Sequence, residues 1–256
     1  MHTLPEAIRR YTAQSPRQTD HIGRSNAQVM LYPDFVLKIR PDTALAHRER
    51  TLLQWLNVRI PAPEIIASVQ ENGKDYLLMT RLPGRMLCDE IYLDDPHSLC
   101  TLLSEGMRLL HTADGTGCPV NRRLSVILNE CEARLLHGAC SSHCWNGFAS
   151  AESMLHYLQT QKPDETLVLT HGDYCLPNIL ADDCGICGFI DLGGAGLADA
   201  YADIALGWQS MMRNVTGFFG GRVRPAPDKR LLFDCMGIVP DWDKLEYYLL
   251  LDQFLS

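Results

Sequence analysis

The chain has 256 residues, 46% of them hydrophobic, and a formal net charge of −8. That length holds one large domain or two small ones, with enough apolar content for a sizeable core. The acidic balance argues against nucleic acid as a partner, no apolar run approaches the length of a membrane span, and the ten cysteines lack the rhythm of a disulfide framework.

Met1-His2-Thr3-Leu4-Pro5-Glu6 has no basic region feeding an apolar core, so no signal peptide is expected. The expected setting is a reducing cytoplasm with free thiols. Residues 28–32 and 35–40 are apolar runs joined by the turn pair Pro33-Asp34, which predicts a hairpin. Residues 43–57 form a predicted helix with Leu45, Leu52, Leu53 and Leu56 as its apolar stripe, stopped by Pro61 and Pro63. Residues 64–69 and 76–80 flank Glu71-Asn72-Gly73-Lys74 and predict a second hairpin. Arg81-Leu82-Pro83-Gly84 breaks the pattern as a linker.

Helices are predicted next over 95–111, where Asp95-Pro96 is the start signal, and over 122–137 and 151–160. Residues 167–169 read as a strand, and so do 179–181 and 186–190 on either side of the turn Asp182-Asp183-Cys184-Gly185. Residues 197–212 and 242–254 read as helices. Strands first and helices later predict an α+β fold with two lobes and a cleft between them. The expected division is a strand-rich lobe over 1–80, a linker over 81–84 and a mainly helical lobe over 85–256.

The chemistry concentrates in His171-Gly172-Asp173-Tyr174-Cys175-Leu176-Pro177-Asn178 and in Gly188-Phe189-Ile190-Asp191. Phosphoryl transfer needs one carboxylate beside an attacking hydroxyl, with an amide oxygen and a second carboxylate holding Mg²⁺ on the phosphates. The hairpin lets Asn178 and Asp191 face each other, with Asp173 on the loop before it. The plainer reading is a polar hairpin whose Asp and Asn cap turns. An isolated His-Gly-Asp would favour that reading, and the full spaced set argues against it.

HGDxxxxN followed by GFID resembles the catalytic and metal-binding loops of the aminoglycoside phosphotransferase branch of the protein-kinase-like fold. The resemblance implies that Asp173 is the catalytic base, that Asn178 and Asp191 are Mg²⁺ ligands, and that ATP or GTP is the phosphate donor. Lys38, alone, reads as an edge-strand or surface lysine, and Glu49 as an exposed helix charge among His47, Arg48 and Arg50. With the downstream motif they resemble the strand-lysine and helix-glutamate pair that holds the α- and β-phosphates. Backbone groups near Thr80 and Leu82 would then hydrogen-bond adenine, with Met79 as a gate for the base. Gly23-Arg24-Ser25-Asn26-Ala27 is similar to the short serine-bearing phosphate loop of that family, in which Ser25 and backbone N–H groups would touch phosphate.

Further matches point to the 3′-phosphotransferase subgroup. They include Arg48-Glu49-Arg50 with Gln54-Trp55-Leu56, Leu110-His111 with Cys118-Pro119, Ala198-Asp199, Asp203-Ile204-Ala205, Pro240-Asp241-Trp242 and Tyr247 to Asp252. The implied acceptor is a cationic aminoglycoside, phosphorylated at its 3′-hydroxyl with antibiotic resistance as the outcome. Asp252 matches one of the acids that hold the drug, and Gln253 stands where a relative would carry Glu. The chain also runs on through Leu255 and Ser256, has no acid over residues 141–147, and carries Gly194 where Arg is common. Alternatives are a kinase of another small alcohol (an amino alcohol, a sugar or a macrolide) and a non-catalytic nucleotide-binding relic. A monomer or weak dimer is expected.

Other groups read as structural. Cys184-Gly185-Ile186-Cys187 lacks a second pair with metal-ligand spacing, and Cys140, His143 and Cys144 fail likewise. His171 is expected to fix the loop by hydrogen bonds to backbone, and Trp208, Met211 and Met212 to form a core helix face.

Overall fold

The computed structural model describes residues 4–12, 18–20, 27–137 and 147–255. The first part is a five-stranded sheet in the order β1-β2-β3-β5-β4. It comprises β1 (Gln18–Asp20), β2 (Gln28–Leu31), β3 (Phe35–Pro41), β4 (Ile65–Glu71) and β5 (Lys74–Thr80), every neighbouring pair antiparallel. Helix α1 (Glu6–Thr12) precedes the sheet and α2 (Ala44–Leu56) leaves β3. The β4–β5 turn holds Asn72 at φ +53° and Gly73 at φ +71°. Two successive left-handed residues make the turn whose twist matches paired strands, which explains Asn-Gly here.

Alternation along β3 sorts its side chains between two cores. Leu37 and Ile39 pack with Ile8, Met30, Tyr32, Tyr76 and Leu78 on one face. Lys38 and Arg40 point to the other, toward α2. That helix starts at Thr43, whose hydroxyl accepts the Ala46 N–H at 3.3 Å, and it buries Ala46, Glu49, Leu52, Leu53 and Leu56. Glu49 thus lies on the apolar stripe, an arrangement that requires a charged partner. Leu45 departs from the predicted stripe. It stays 56% exposed, while Ala46 beside it is fully buried.

The second part is mainly helical. Strand β6 (Arg85–Met86) is followed by α3 (Glu90–Leu93), α4 (Pro96–His111), α5 (Leu124–Leu136) and α6 (Ala151–Thr160). Asp95 caps α4 through the N–H groups of His97 and Ser98, with Pro96 in the first turn as the sequence predicts. Next come β7 (Leu167–Thr170), β8 (Ile179–Asp182), β9 (Gly185–Phe189) and β10 (Gly196–Asp199). Helices α7 (Tyr201–Val215), α8 (Leu231–Met236) and α9 (Trp242–Leu255) complete the chain. A three-stranded sheet orders as β6-β8-β9, and β7 pairs with β10.

The continuous helix predicted over 197–212 is corrected here. Residues 196–199 pair with β7, and α7 begins at Tyr201. Asp199 makes the break: its carboxylate accepts the Tyr201 N–H at 2.9 Å and the Thr166 N–H at 2.6 Å. A carboxylate bonding backbone in this way competes with helix at that position. Helix α8 was not predicted. The main core runs from Leu52, Leu53 and Leu56 of α2 through α4 to Leu250 and Phe254 of α9. Among the described residues no helix is long and apolar enough to cross a membrane.

Candidate active site

Lys38 and Glu49 meet behind the cleft. Lys38 Nζ donates to Glu49 Oε1 at 3.1 Å and Oε2 at 3.3 Å, and both residues are buried. The same ammonium reaches across to Asp191 Oδ1 at 2.8 Å, joining β3 to the segment after β9. Arg40, two residues along the same strand face, also donates to Glu49 and places Nε 3.0 Å from Asp75 Oδ2. Asp75 is fully buried and is paired in turn with Arg50 of α2. The sequence reading missed Arg40, Arg50 and Asp75. The available signal was the spacing of Lys38 and Arg40, which alternation puts on one face with Glu49 opposite.

The second group of residues sits on the loop after β7. Asn178 Nδ2 donates to the Asp173 backbone carbonyl and to Asp173 Oδ2, each at 2.9 Å. The Ile190 N–H donates to the Asn178 carbonyl at 3.0 Å, extending the β8–β9 hairpin by one step. Asp191 follows in the left-handed conformation at φ +57° and is exposed to the cleft. Aspartate tolerates that region better than most side chains, and here it turns the carboxylate back toward Lys38. Burial alone would raise the Asp191 pKa; Lys38 outweighs it and holds the carboxyl below its usual range.

His171 and Asp203 fix this loop from beneath. Both are fully buried. The His171 ring accepts the Asp173 N–H at Nδ1, 3.3 Å away, and places Nε2 3.0 Å from the Ile190 carbonyl. A carbonyl accepts only, so the proton is on Nε2 and the ring is a brace between the two motifs. Asp203, in the first turn of α7, accepts the N–H groups of His171 at 2.9 Å and Gly172 at 3.0 Å, with His111 Nε2 3.3 Å away. The sequence matched Asp203 to the family pattern without giving it a task. The helix predicted from 197 put Asp203 well inside it, so no local signal marked a backbone-binding role.

The remaining candidates are more scattered. Thr80 ends β5; its N–H donates to the Glu64 carbonyl at 2.9 Å, and its hydroxyl accepts the Glu64 N–H at 2.9 Å. Leu82 lies in the linker beyond, its side chain against Gly188. Ser25 lies outside the described residues, as do residues 138–146 with Cys140, His143 and Cys144, and Ser256. Asp252 and Gln253 are half-buried on α9. The Asp252 pKa is pushed up to about 6, first by burial and then by the Asp173 carboxylate, against the lowering pull of Arg213. The Asp173 charge thus acts on Asp252, second to burial. Arg213 is exposed on α7, its guanidinium 5.2 Å from the Phe218 ring. Cys184 and Cys187 are free thiols, and among the described residues no group of three or more His, Cys, Asp or Glu could hold a metal ion. Met211 is fully buried in the core.

Chemically, this is a site for an anion and a hard cation. Lys38 offers a buried positive charge at the cleft wall. Asn178 Oδ1 and Asp191 Oδ2 carry none of the bonds described above. They are hard oxygen donors of the kind that hold Mg²⁺ together with substrate phosphates, so the donor set fits that ion.

Residues 17–246 match the model of the phosphotransferase enzyme family. An aminoglycoside 3′-phosphotransferase of Enterococcus faecalis is 34% identical over 213 residues, spanning 80% of this chain and 77% of the relative. Another, of Niallia circulans, is 31% identical over 263 residues, spanning 98% and 97%. The solved structure of an aminoglycoside 3′-phosphotransferase of type VIII superposes with a TM-score of 0.74 at 27% identity, covering 97% of this chain and 98% of that one. An aminoglycoside phosphotransferase from Streptomyces rimosus, 22% identical, shares the fold with a TM-score of 0.77 over 97% and 96%. The fold is the two-lobed, protein-kinase-like α+β fold. The chain belongs to the phosphotransferase enzyme family, and it is a kinase-type transferase.

Gly172 is where this loop has least latitude. It holds φ +77°, and a Cβ there would stand 2.1 Å from the Gly194 carbonyl oxygen. Gly73 has a similar φ of +71° with nothing within 4 Å. Gly73→Ala should cost about 1 kcal/mol of unfolding free energy from backbone strain alone, and Gly172→Ala about 3 kcal/mol or more because a clash is added. Urea denaturation of the two variants checks the ranking; equal losses would mean the Gly194 contact is not as drawn.

Proposed function

We propose that the protein transfers the γ-phosphate of a nucleoside triphosphate, ATP or GTP, to the 3′-hydroxyl of aminoglycoside antibiotics and so confers resistance. The observation that carries the reading is the run of hydrogen bonds from Glu49 through Lys38 to Asp191, with Asn178 bonded to Asp173 alongside. The relatives named for the 3′ reaction support the acceptor. A kinase of another small alcohol and a non-catalytic relic gain no comparable support. Action in the cytoplasm as a monomer or weak dimer, and residues 1–80 as the nucleotide lobe, are parts of the same proposal.

In this reading Lys38, steadied by Glu49, exchanges its bond to Asp191 for the α- and β-phosphates. Backbone at Thr80 and Leu82 meets the base, and Ser25 meets phosphate. Asn178 and Asp191 would hold Mg²⁺, which neutralises charge on the phosphates when bound. Asp173 accepts the proton of the acceptor hydroxyl and orients its oxygen toward the γ-phosphorus. Its carboxylate keeps lone pairs beyond those used by its present donors. Asp252 attracts an ammonium group of the drug, with Gln253 beside it as a neutral contact. The transition state is loose, so positioning contributes more than base strength.

Loss of either carboxylate tests these roles. Asp191→Ala and Asp173→Asn should each lower kcat/KM more than about 100-fold, the scale of one strong electrostatic contact, while circular dichroism stays native. A variant retaining more than about a tenth of wild-type kcat/KM would refute the role given to that residue.

The Asp252 pKa of about 6 sets a pH dependence. Above it the carboxylate is charged and attracts the drug; below it the group is neutral and that attraction is lost. Wild-type kcat/KM for kanamycin should therefore climb as pH rises through about 6, and this step should vanish in Asp252→Asn. A step that survives the substitution belongs to another group.

Regiochemistry tests the acceptor. Kanamycin and neomycin carry a 3′-hydroxyl, whereas tobramycin and gentamicin lack it and keep similar charge. The first pair should turn over and the second should inhibit competitively, since charge attraction remains without a nucleophile. NMR of phosphorylated kanamycin reads the position. Phosphate on a different hydroxyl, or comparable turnover of tobramycin, overturns the 3′ assignment and leaves the kinase reading intact.

A further inference from the structure

The roles above leave Cys175 without a task, yet its thiol touches the carboxylate at their centre. Cys175 Sγ lies 3.1 Å from Asp173 Oδ1, while Asn178 Nδ2 donates to the other oxygen, Oδ2, at 2.9 Å. An ionised carboxylate has no proton to give, so the thiol is the donor. The terminal torsion of an aspartate is broad when nothing holds it. One donor on each oxygen removes that freedom and sets the plane of the carboxylate.

The thiol is held in its turn. The Cys175 N–H donates to the Asp173 carbonyl at 2.8 Å, a tight turn that folds the thiol back over the side chain two residues earlier. The next residue, Leu176, donates its N–H to Ser210 Oγ at 3.0 Å. Ser210 is buried on α7, the helix whose first turn carries Asp203. One helix therefore braces the loop at two points, through Asp203 before Asp173 and through Ser210 after it. Burial first, and the Asp173 charge second, push the Cys175 pKa upward, so the group remains a protonated donor at neutral pH.

We propose that Cys175 is a positioning residue, whose S–H donates to Asp173 Oδ1 and fixes the carboxylate plane in which the acceptor hydroxyl is received. This rests on the role given to Asp173 above. A plane held before the substrate arrives aids the chemical step and adds nothing to substrate binding. Serine, with a hydroxyl in place of the thiol, would serve; alanine would not.

The test compares Cys175→Ala with Cys175→Ser in steady-state assays with kanamycin and nucleotide. Alanine should lower kcat about fivefold, the scale of one ordinary hydrogen bond from a weak thiol donor, with both KM values within about twofold of wild type. Serine should restore kcat to within about twofold of wild type. Alanine at the wild-type rate would overturn the proposal. So would serine falling as far as alanine, because the effect would then be packing. Infrared spectroscopy of the unaltered protein against Asp173→Asn decides the contact independently of turnover. An S–H stretch bound to a carboxylate should lie low and broad and move to higher frequency when the charge is removed; an unmoved band would overturn the contact. Should no aminoglycoside be phosphorylated, the proposed function fails, while the infrared band still reports whether thiol and carboxylate are joined.

Discussion

A buried carboxylate shared between two cations of one strand sets the geometry on which the cleft depends. Glu49 cannot lie on the apolar stripe of α2 without compensation, since a desolvated charge is costly. Lys38 and Arg40 supply it from β3, and Arg40 and Arg50 then share Asp75. Signs alternate from Arg50 to Asp191, so each buried carboxylate has two cationic neighbours. Such a chain is a weak source of net stability. It is a strong constraint on register, because sliding α2 by one residue along β3 would break the bonds of Glu49 to Lys38 and Arg40 and that of Arg50 to Asp75 together. Lys38 is thereby delivered to the cleft at a fixed height, with its ammonium in contact with Asp191.

A separate constraint shapes the other wall. The loop before β8 contains a glycine that must be glycine, a histidine used as a brace and an aspartate tied by its neighbours. None of these could hold the loop alone. Asp203 accepts two consecutive backbone N–H groups, which fixes the peptide planes leading into Asp173. Tyr174 sends its hydroxyl to the Leu103 carbonyl, 2.8 Å away in the core. Anchored below and behind, the loop leaves the two polar side chains Asp173 and Asn178 to face the cleft. Rigid elements place them, in keeping with the precision that phosphoryl transfer demands.

Local rules made much of this readable. Pro33-Asp34, Asn72-Gly73 and Asp95-Pro96 gave the two hairpins and the start of α4, and the apolar run 35–40 gave the strand bearing Lys38. The spacing of Asp173, Asn178 and Asp191 gave the hairpin that brings them together, because a tight turn leaves little choice of register. What stayed hidden depends on long-range partners. Arg40 and Asp75 are separated by 35 residues, and nothing local distinguishes Asp75 from any acid after a turn. The break at Asp199 was missed for a related reason. Leu-Ala-Asp-Ala is compatible with helix, and its pairing with β7 decides the matter. The positions of Ser25, Thr80 and Leu82 as nucleotide contacts, and of Asp252 and Gln253 as drug contacts, rest on family resemblance and on the proposal above.

The raised pKa of Asp252, set first by burial and then by the Asp173 charge, has a thermodynamic consequence. Two acids near one another cannot both be fully ionised at little cost, and the protein meets that cost by letting one of them carry a proton part of the time. Under the proposed function, an arriving ammonium group would favour the ionised form and expel that proton. Drug association near pH 6 is then coupled to proton release into the surrounding buffer. The heat of association measured by calorimetry will contain the buffer's own heat of protonation, in proportion to the fraction of Asp252 protonated beforehand. On the proposed reading, recognition of a cation beside Asp252 is thus an exchange of one positive charge for another.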